Sequence, residues 1–188
     1  MPLDITITLS DEDLQKFQES IDKGIVAVED PEVATKIEMA ASELIEEARS
    51  ANLPIFISDR LAKLQILINM ISDEEWQLSE EERSSILGAL HYFINPEDLI
   101  PDNVPGIGYL DDAIYAEIII QELKIEIKMY REFCQFRIAE ENRRRNRGLD
   151  PHVGREDWIA DKRAVLHSRM RERRALRTGG RGWRMRLL

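Results

Sequence analysis

The chain has 188 residues, of which 33% are charged, a formal net charge of −10 and a single cysteine. This length allows one domain with an extension, and one cysteine excludes an internal disulfide and indicates a reducing compartment. No apolar run approaches the ~20 residues of a membrane-spanning helix, and the N-terminus lacks the features of a signal peptide, so we expect a cytoplasmic protein that is at most peripheral to a membrane.

The first three helices are predicted from local signals. Residues 5–9 alternate in the manner of a short extended segment. Ser10 is placed to cap an amphipathic helix, and Pro31 to occupy the first position of the next one. Residues 57–71 carry the apolar spacing of a third, more buried helix.

The second half of the chain is predicted to be built on one long helix. Ser79 and Glu82 have the spacing of a capping box, which opens a helix that ends at a Pro/Gly-rich acidic loop at 95–110. Apolar residues then recur at helical spacing from Asp111 to about residue 142. The pattern predicts an all-α fold: five to six helices around this long central helix, with a basic C-terminal helical tail.

The charge is distributed unevenly. Residues 1–130 hold 9 Lys or Arg against 28 Asp or Glu, whereas residues 131–188 hold 17 against 8. We therefore divide the chain into an acidic helical domain, 1–142, and an Arg-rich C-terminal extension, 143–188. Three interpretations stay open: the extension lies on its own body or on a second copy, it binds nucleic acid or an anionic membrane surface, or it is a solvated helix with Arg–Glu pairs.

The loop at 95–110 holds most of the special residues of the chain. Each proline pushes the residue before it toward extended geometry, and the glycines permit a close backbone approach. We expect this loop to have a structural role, with part of it against the core. The residues that define it are Pro96, Asp98, Pro101, Asp102, Pro105, Gly106, Gly108, Asp111 and Asp112.

The same loop offers one candidate metal site. Asp98, Asp102, Asp111 and Asp112 could supply the oxygen ligands of Mg²⁺ or Mn²⁺, and such ions could support chemistry on phosphate-containing substrates. The alternative is that Asp111 caps the following helix, that Asp112 interacts with its dipole, and that Asp98 and Asp102 form turns beside proline. Without the metal hypothesis the sequence predicts no cofactor.

The extension offers a candidate site for an anionic partner. Its cations are arginines except for Lys162, and arginine suits bidentate contact with phosphate. A tryptophan among glycines and arginines could stack on an unpaired base. The candidate residues are Arg143, Arg144, Arg145, Arg147, Arg173, Arg174, Arg181, Trp183 and Arg184.

The loop and its flanking helices resemble a bacterial family, the YkvA-like proteins, which carry a domain of unknown function. The matching residues are Ala89, Leu90, Tyr92 and Pro96, then residues 98–102 and 105–112. The resemblance covers about 85–123 and implies a small helical domain without an established activity. Many relatives have more apolar flanking helices, whereas polar residues interrupt residues 113–128 here.

No catalytic residues are predicted. His91, His152 and His167 are scattered, and no nucleotide-binding or nucleophile motif is present. We therefore expect a non-enzymatic interaction or adaptor protein that forms homo-oligomers, with the extension contacting an anionic partner. The alternatives are a divalent-metal-dependent enzyme acting through the acidic loop and a peripheral membrane-associated protein.

Overall fold

The computed structural model describes residues 10–50, 53–94 and 109–178, and in these ranges the chain forms seven α-helices, one 3₁₀ helix and no strand. The all-α prediction is confirmed. In chain order the elements are α1 (Asp11–Ala27), α2 (Pro31–Ser50), α3 (Ile55–Ser72), α4 (Glu80–Leu90), the 3₁₀ helix His91–Ile94, α5 (Leu110–Glu122), α6 (Lys124–Asn146) and α7 (Arg155–Thr178). The predicted extended segment at 5–9 lies outside the described residues.

Two local signals placed helix starts correctly. The Ser79 hydroxyl accepts the Glu82 N–H at 3.3 Å, and the Ser79 N–H donates to the Glu82 carboxylate at 3.0 Å, which completes the predicted capping box of α4. Pro31 is the first residue of α2, where its missing N–H costs nothing. Asp30 accepts the Glu32 N–H at 2.9 Å and so satisfies one of the exposed donors at this helix start.

The prediction of one continuous helix from Asp111 is wrong, because two helices, α5 and α6, occupy this region; within the described ranges six α-helices in all precede the basic tail helix α7. The chain leaves helical geometry at Leu123 (φ −92°, ψ 18°). The Leu123 N–H donates the last hydrogen bond of α5 to Ile119 O at 2.9 Å, and the Leu123 carbonyl accepts the first hydrogen bond of α6. Apolar residues form two stripes along residues 110–136. The two stripes would lie on different faces of a straight helix, so they could not both face the same core. The break allows α5 to pack on α3 while α6 packs on α7.

The core is formed by pairs of helices: α1 packs on α4, α2 on α3, α3 on α5, and α6 on α7. Its largest fully buried side chains include Ile37, Leu61, Leu64, Trp76, Tyr115 and Phe133. Burial of each large apolar side chain contributes about 1.5–3 kcal/mol. Of the described helices, none is both long enough and apolar enough to span a lipid bilayer.

Helices α1 and α4 approach at two glycines. A Cβ on Gly24 would lie 2.4 Å from Gly88 O, and one on Gly88 would lie 2.5 Å from Ile25 Cγ1 and 2.8 Å from Ile25 N. Because backbone atoms lie on both sides, no side-chain movement could make room. This contact explains two glycines inside helices, where glycine is otherwise unfavourable.

Helix α7 lies on the body of the protein. Ile159, Leu166 and Met170 are fully buried in the same core as α3 and α6. Helix α6 runs continuously across 142/143, the position that we predicted as the start of the extension. The basic tail therefore has an anchored helical part, which ends at Thr178 in the described chain.

Candidate functional site

Helix α5 begins with two buried aspartates. Asp111 and Asp112 are 7% and 6% exposed and lie in the first turn, where the helix dipole favours carboxylates. The helix starts at Leu110 with Tyr109 at the N-cap and no side-chain capping bond, so the prediction that Asp111 caps it is wrong. The other loop residues that we predicted, Pro96, Asp98, Pro101, Asp102, Pro105, Gly106 and Gly108, lie outside the described residues.

The two ends of the loop are joined by aromatic rings. Tyr92 of the 3₁₀ helix stacks on Tyr115 of α5 with centroids 3.8 Å apart and planes at 15°. Phe93 meets both rings edge-on, at 5.5 Å from Tyr92 and 5.7 Å from Tyr115. Aromatic pairs of this kind contribute about 0.5–1.5 kcal/mol beyond burial, so they hold the 3₁₀ helix that precedes the loop against α5, the helix that follows it.

Three or more His, Cys, Asp or Glu side chains do not come together in a metal-binding arrangement anywhere in the described ranges. Asp98 and Asp102 fall in the gap between those ranges, so the four-aspartate site stays a prediction.

The first part of α7 is attached to the body by a network of charged groups. Arg155 binds both carboxylate oxygens of Glu75, one of them at 3.0 Å, and reaches Glu141 at 2.7 Å. Arg137 also binds Glu75, at 2.7 Å, and pairs with Asp73 at 2.9 Å. The hydrogen bonds from Arg155 and Arg137 hold the pKa of Glu75 below its usual range, even though burial opposes this shift.

The middle of α7 contributes a buried histidine to the core. His167 is 8% exposed, and its ring lies 4.3 Å from that of Trp76. Its Nε2 atom is 3.0 Å from Trp76 O, and its Nδ1 atom is 3.7 Å from the buried carboxylate of Glu82. This residue had no distinguishing signal in the sequence, because its partners lie in the distant turn before α4 and at the start of that helix.

Four of the eight predicted anion-binding arginines are paired with carboxylates of the protein. Arg143 and Arg144 bind Glu140, the latter at 3.0 Å, while Arg145 binds Glu141 at 3.2 Å. These pairs have helical i,i+3 and i,i+4 spacing, so the sequence did contain the signal for them. Farther along, the guanidinium of Arg174 lies 2.6 Å from the buried carboxylate of Glu126.

A smaller set of arginines faces solvent. Arg171 and Arg173 in the last turns of α7 and Arg147 at the end of α6 are exposed, and none of them forms an ion pair with a described carboxylate. Leu176 beside them is 82% exposed. We call Arg171, Arg173 and Leu176 the distal end of α7. Arg181, Trp183 and Arg184 follow this end in sequence but lie outside the described residues.

Comparison with known proteins gives one family. Residues 82–116 match the family described as "Protein of unknown function (DUF1232)". The matched segment begins at the buried Glu82, includes Gly88 and the stacked Tyr92 and Tyr115, and ends in α5. Neither the curated proteins nor the solved structures contain a significant match to the chain.

Proposed function

We propose that this chain is a YkvA-like, non-enzymatic interaction protein of the bacterial cytoplasm that binds a phosphate-rich polyanion through the distal end of α7. Arg181, Trp183 and Arg184, which follow α7 in sequence, contribute further contacts to the polyanion in this proposal. Single-stranded nucleic acid is the polyanion that suits these residues best, because arginine contacts phosphate and tryptophan stacks on bases.

The observation that carries the proposal is the division of the α7 arginines into two groups. Arg155 and Arg174 bind carboxylates of the body at either end of the helix. Arg171 and Arg173 have no such partner among the described residues and are exposed. The first group holds the helix on an acidic body, and the second group keeps its charge available to a ligand.

Binding of a fluorescent single-stranded oligonucleotide, followed by anisotropy over a salt series, tests this proposal. Each phosphate contact releases counterions, so affinity must fall steeply with salt. Arg171→Gln/Arg173→Gln should weaken binding and reduce the salt slope by about one for each arginine that no longer binds a phosphate. A chain ending at Thr178 should lose the contribution of residues 179–188.

Lys23→Gln/Lys36→Gln is the matched control, because it removes the same charge from exposed positions of α1 and α2. Equal losses in the two double variants would mean that net charge alone causes the binding, and the proposal would then fail. Co-sedimentation with anionic vesicles, but no oligonucleotide binding, would instead favour the peripheral membrane-associated alternative.

Self-association is part of the same proposal. Ile138 of α6 and Val165 of α7 are 58% and 48% exposed, and large exposed apolar side chains are the kind that a second copy covers. Sedimentation equilibrium should give a homo-oligomer that Ile138→Glu weakens, with Glu74→Gln as an exposed control. A monomer at all concentrations would remove this part of the proposal and leave the anion-binding part intact.

A further inference from the structure

A groove of about 560 Å³ lies along one side of α6, bounded also by α3 and α5. This volume is within the range of small-molecule sites. Its lining combines isoleucines with cations, and none of the distal α7 residues contributes to it. The residues that matter for ligand chemistry are Ile66, Ile120, Ile127, Lys124, Lys128 and Arg131.

Three of the four cations that line the groove form a row on one helix, α6, and the fourth, Lys63 of α3, pairs with Glu117. Lys124, Lys128 and Arg131 follow each other at spacings of four and three, so they share a face of α6. All three are exposed, and none forms an ion pair with a carboxylate of the described residues. In a chain whose first 130 residues are strongly acidic, this is a local concentration of positive charge.

Two carboxylates beside the groove, Glu132 and Glu117, are paired with other cations. Glu132 also lines the groove, but its carboxylate binds Lys162 at 2.7 Å and lies 3.4 Å from Arg169. Glu117 lies between Arg60 and Lys63 at 3.4 and 3.7 Å. Neither carboxylate forms an ion pair with the three cations, although the charge of Lys128 acts on Glu132 at longer range and helps to lower the pKa of that carboxyl. The three cations therefore have no direct carboxylate partner that a ligand would have to displace.

The isoleucines supply the other half of the recognition. Ile66, Ile120 and Ile127 come from three different helices and line the same groove. Apolar lining with a few charged groups at one side is the usual composition of a ligand site. Ile127 is buried, whereas Ile66 and Ile120 are only partly buried. A simple polyanion would satisfy the cations and leave the exposed parts of Ile66 and Ile120 in contact with water.

We propose that this groove binds a free single-chain anionic amphiphile, an alkyl phosphate or a fatty carboxylate. The head group would be held by Lys124, Lys128 and Arg131, and the alkyl chain would lie on the isoleucines. An acidic helix of a second copy fits less well: the exposed face of α2 carries Glu43, Glu46 and Glu47 but only Met39 as a large exposed apolar side chain.

Calorimetric titration of the full chain with hexyl, octyl and decyl phosphate, each below its critical micelle concentration, tests the proposal. Affinity should rise about fourfold for each added methylene that becomes buried, and inorganic phosphate should bind more weakly than any of them. Lys124→Gln/Lys128→Gln should weaken binding of decyl phosphate about tenfold or more, because two charge-assisted hydrogen bonds to the head group are removed.

Lys23→Gln/Lys36→Gln is again the control and should bind decyl phosphate as the unchanged chain does. Affinity that does not depend on chain length, or equal loss in both double variants, would overturn the proposal. Binding to anionic vesicles without binding to the free amphiphile would overturn it too, as would a decyl phosphate affinity unaffected by Lys124→Gln/Lys128→Gln. Arg171→Gln/Arg173→Gln should leave amphiphile binding unchanged, which separates this site from the distal end of α7.

Discussion

The Nδ1 atom of His167 lies 3.7 Å from Oε2 of Glu82, so a residue of α7 meets the first residue of the segment that matches the family. The Nε2 atom of the same ring is 3.0 Å from Trp76 O. Because a carbonyl only accepts, Nε2 donates to Trp76 O, while Nδ1 lies beyond hydrogen-bond distance of Glu82. The same Glu82 oxygen accepts the Ser79 N–H at 3.0 Å. The α4 capping box and the buried face of α7 thus share one carboxylate.

The first prediction is that acidification destabilises the protein through His167. Burial lowers the pKa of His167 below the ordinary 6.5, and the positive charges of Arg171 and Arg163 lower it further. The Glu82 carboxylate and the hydrogen bond to the Trp76 carbonyl oppose this shift. Below about pH 6.5 the unfolded chain binds more protons at His167 than the folded chain does. The contribution of neutral His167 to stability is therefore complete above about pH 6.5 and is lost as the pH falls below it. Urea unfolding from about pH 7.5 to about pH 5.5 spans this histidine range.

His167→Gln should reduce that pH dependence, since an amide N–H can still reach Trp76 O but does not titrate. Part of the slope should remain, because burial also lowers the pKa of His91. His152→Gln, at an exposed position, is the control. An unchanged slope in His167→Gln would show that His167 is not the responsible group.

The second prediction concerns Glu75, which accepts hydrogen bonds from Arg137 and Arg155. Glu75→Gln should lower the free energy of unfolding by about 1–2 kcal/mol, because charge-assisted bonds are lost while Arg137 keeps Asp73 and Arg155 keeps Glu141. Glu74→Gln, at the exposed neighbouring position, should have little effect. Equal unfolding midpoints for the two variants in urea would contradict this role.

The lowered pKa of Glu75 gives this contribution a second signature. A carboxylate with a depressed pKa stabilises the fold above the ordinary value of 4.5, and the stabilisation is lost as the pH falls through the lower folded-state pKa. The difference between Glu75→Gln and the unchanged chain should therefore shrink below pH 4.5. This window lies below that of His167, so the two effects can be separated in one pH series.

Local signals in the sequence predicted the parts of the fold that depend on neighbouring residues. The Ser79–Glu82 box and Pro31 each determine a helix start within one turn. The break at Leu123 had no such signal, because apolar residues continue at helical spacing on both sides and tertiary packing decides which of them face the core. The same holds for Arg155 and Glu75, whose contact depends on how α7 packs against the α3–α4 connection.

The third prediction is that millimolar Mg²⁺ or Mn²⁺ leaves the melting midpoint unchanged. Asp111 and Asp112 lie in the first turn of α5, where the helix dipole stabilises carboxylates without a cation. An ion present at 100 times its dissociation constant would add about 2.7 kcal/mol and raise the midpoint visibly. A rise that disappears in Asp102→Asn would instead support the metal-dependent enzyme on phosphate-containing substrates, and phosphodiester assays would follow.

The fourth prediction is that Gly88→Ala destabilises the protein although alanine favours helices. Inside an exposed helix this change would add up to about 1 kcal/mol of stability. Here the new Cβ would lie 2.5 Å from Ile25 Cγ1 and 2.8 Å from Ile25 N, so α1 must move away from α4. Overpacking of this kind costs about 1–3 kcal/mol.

Gly24→Ala tests the same contact from the other helix, because its Cβ would meet Gly88 O at 2.4 Å. Both variants should lower the urea midpoint, and the double variant should cost less than the sum of the two, since a single displacement of α1 relieves both clashes. Ser84→Ala, in the same helix as Gly88, is the control for helix propensity and should change stability by only a few tenths of a kcal/mol. If Gly88→Ala were as stable as the unchanged chain, the close crossing of α1 and α4 would be wrong. The family-matching segment would then not need a glycine at this position for packing.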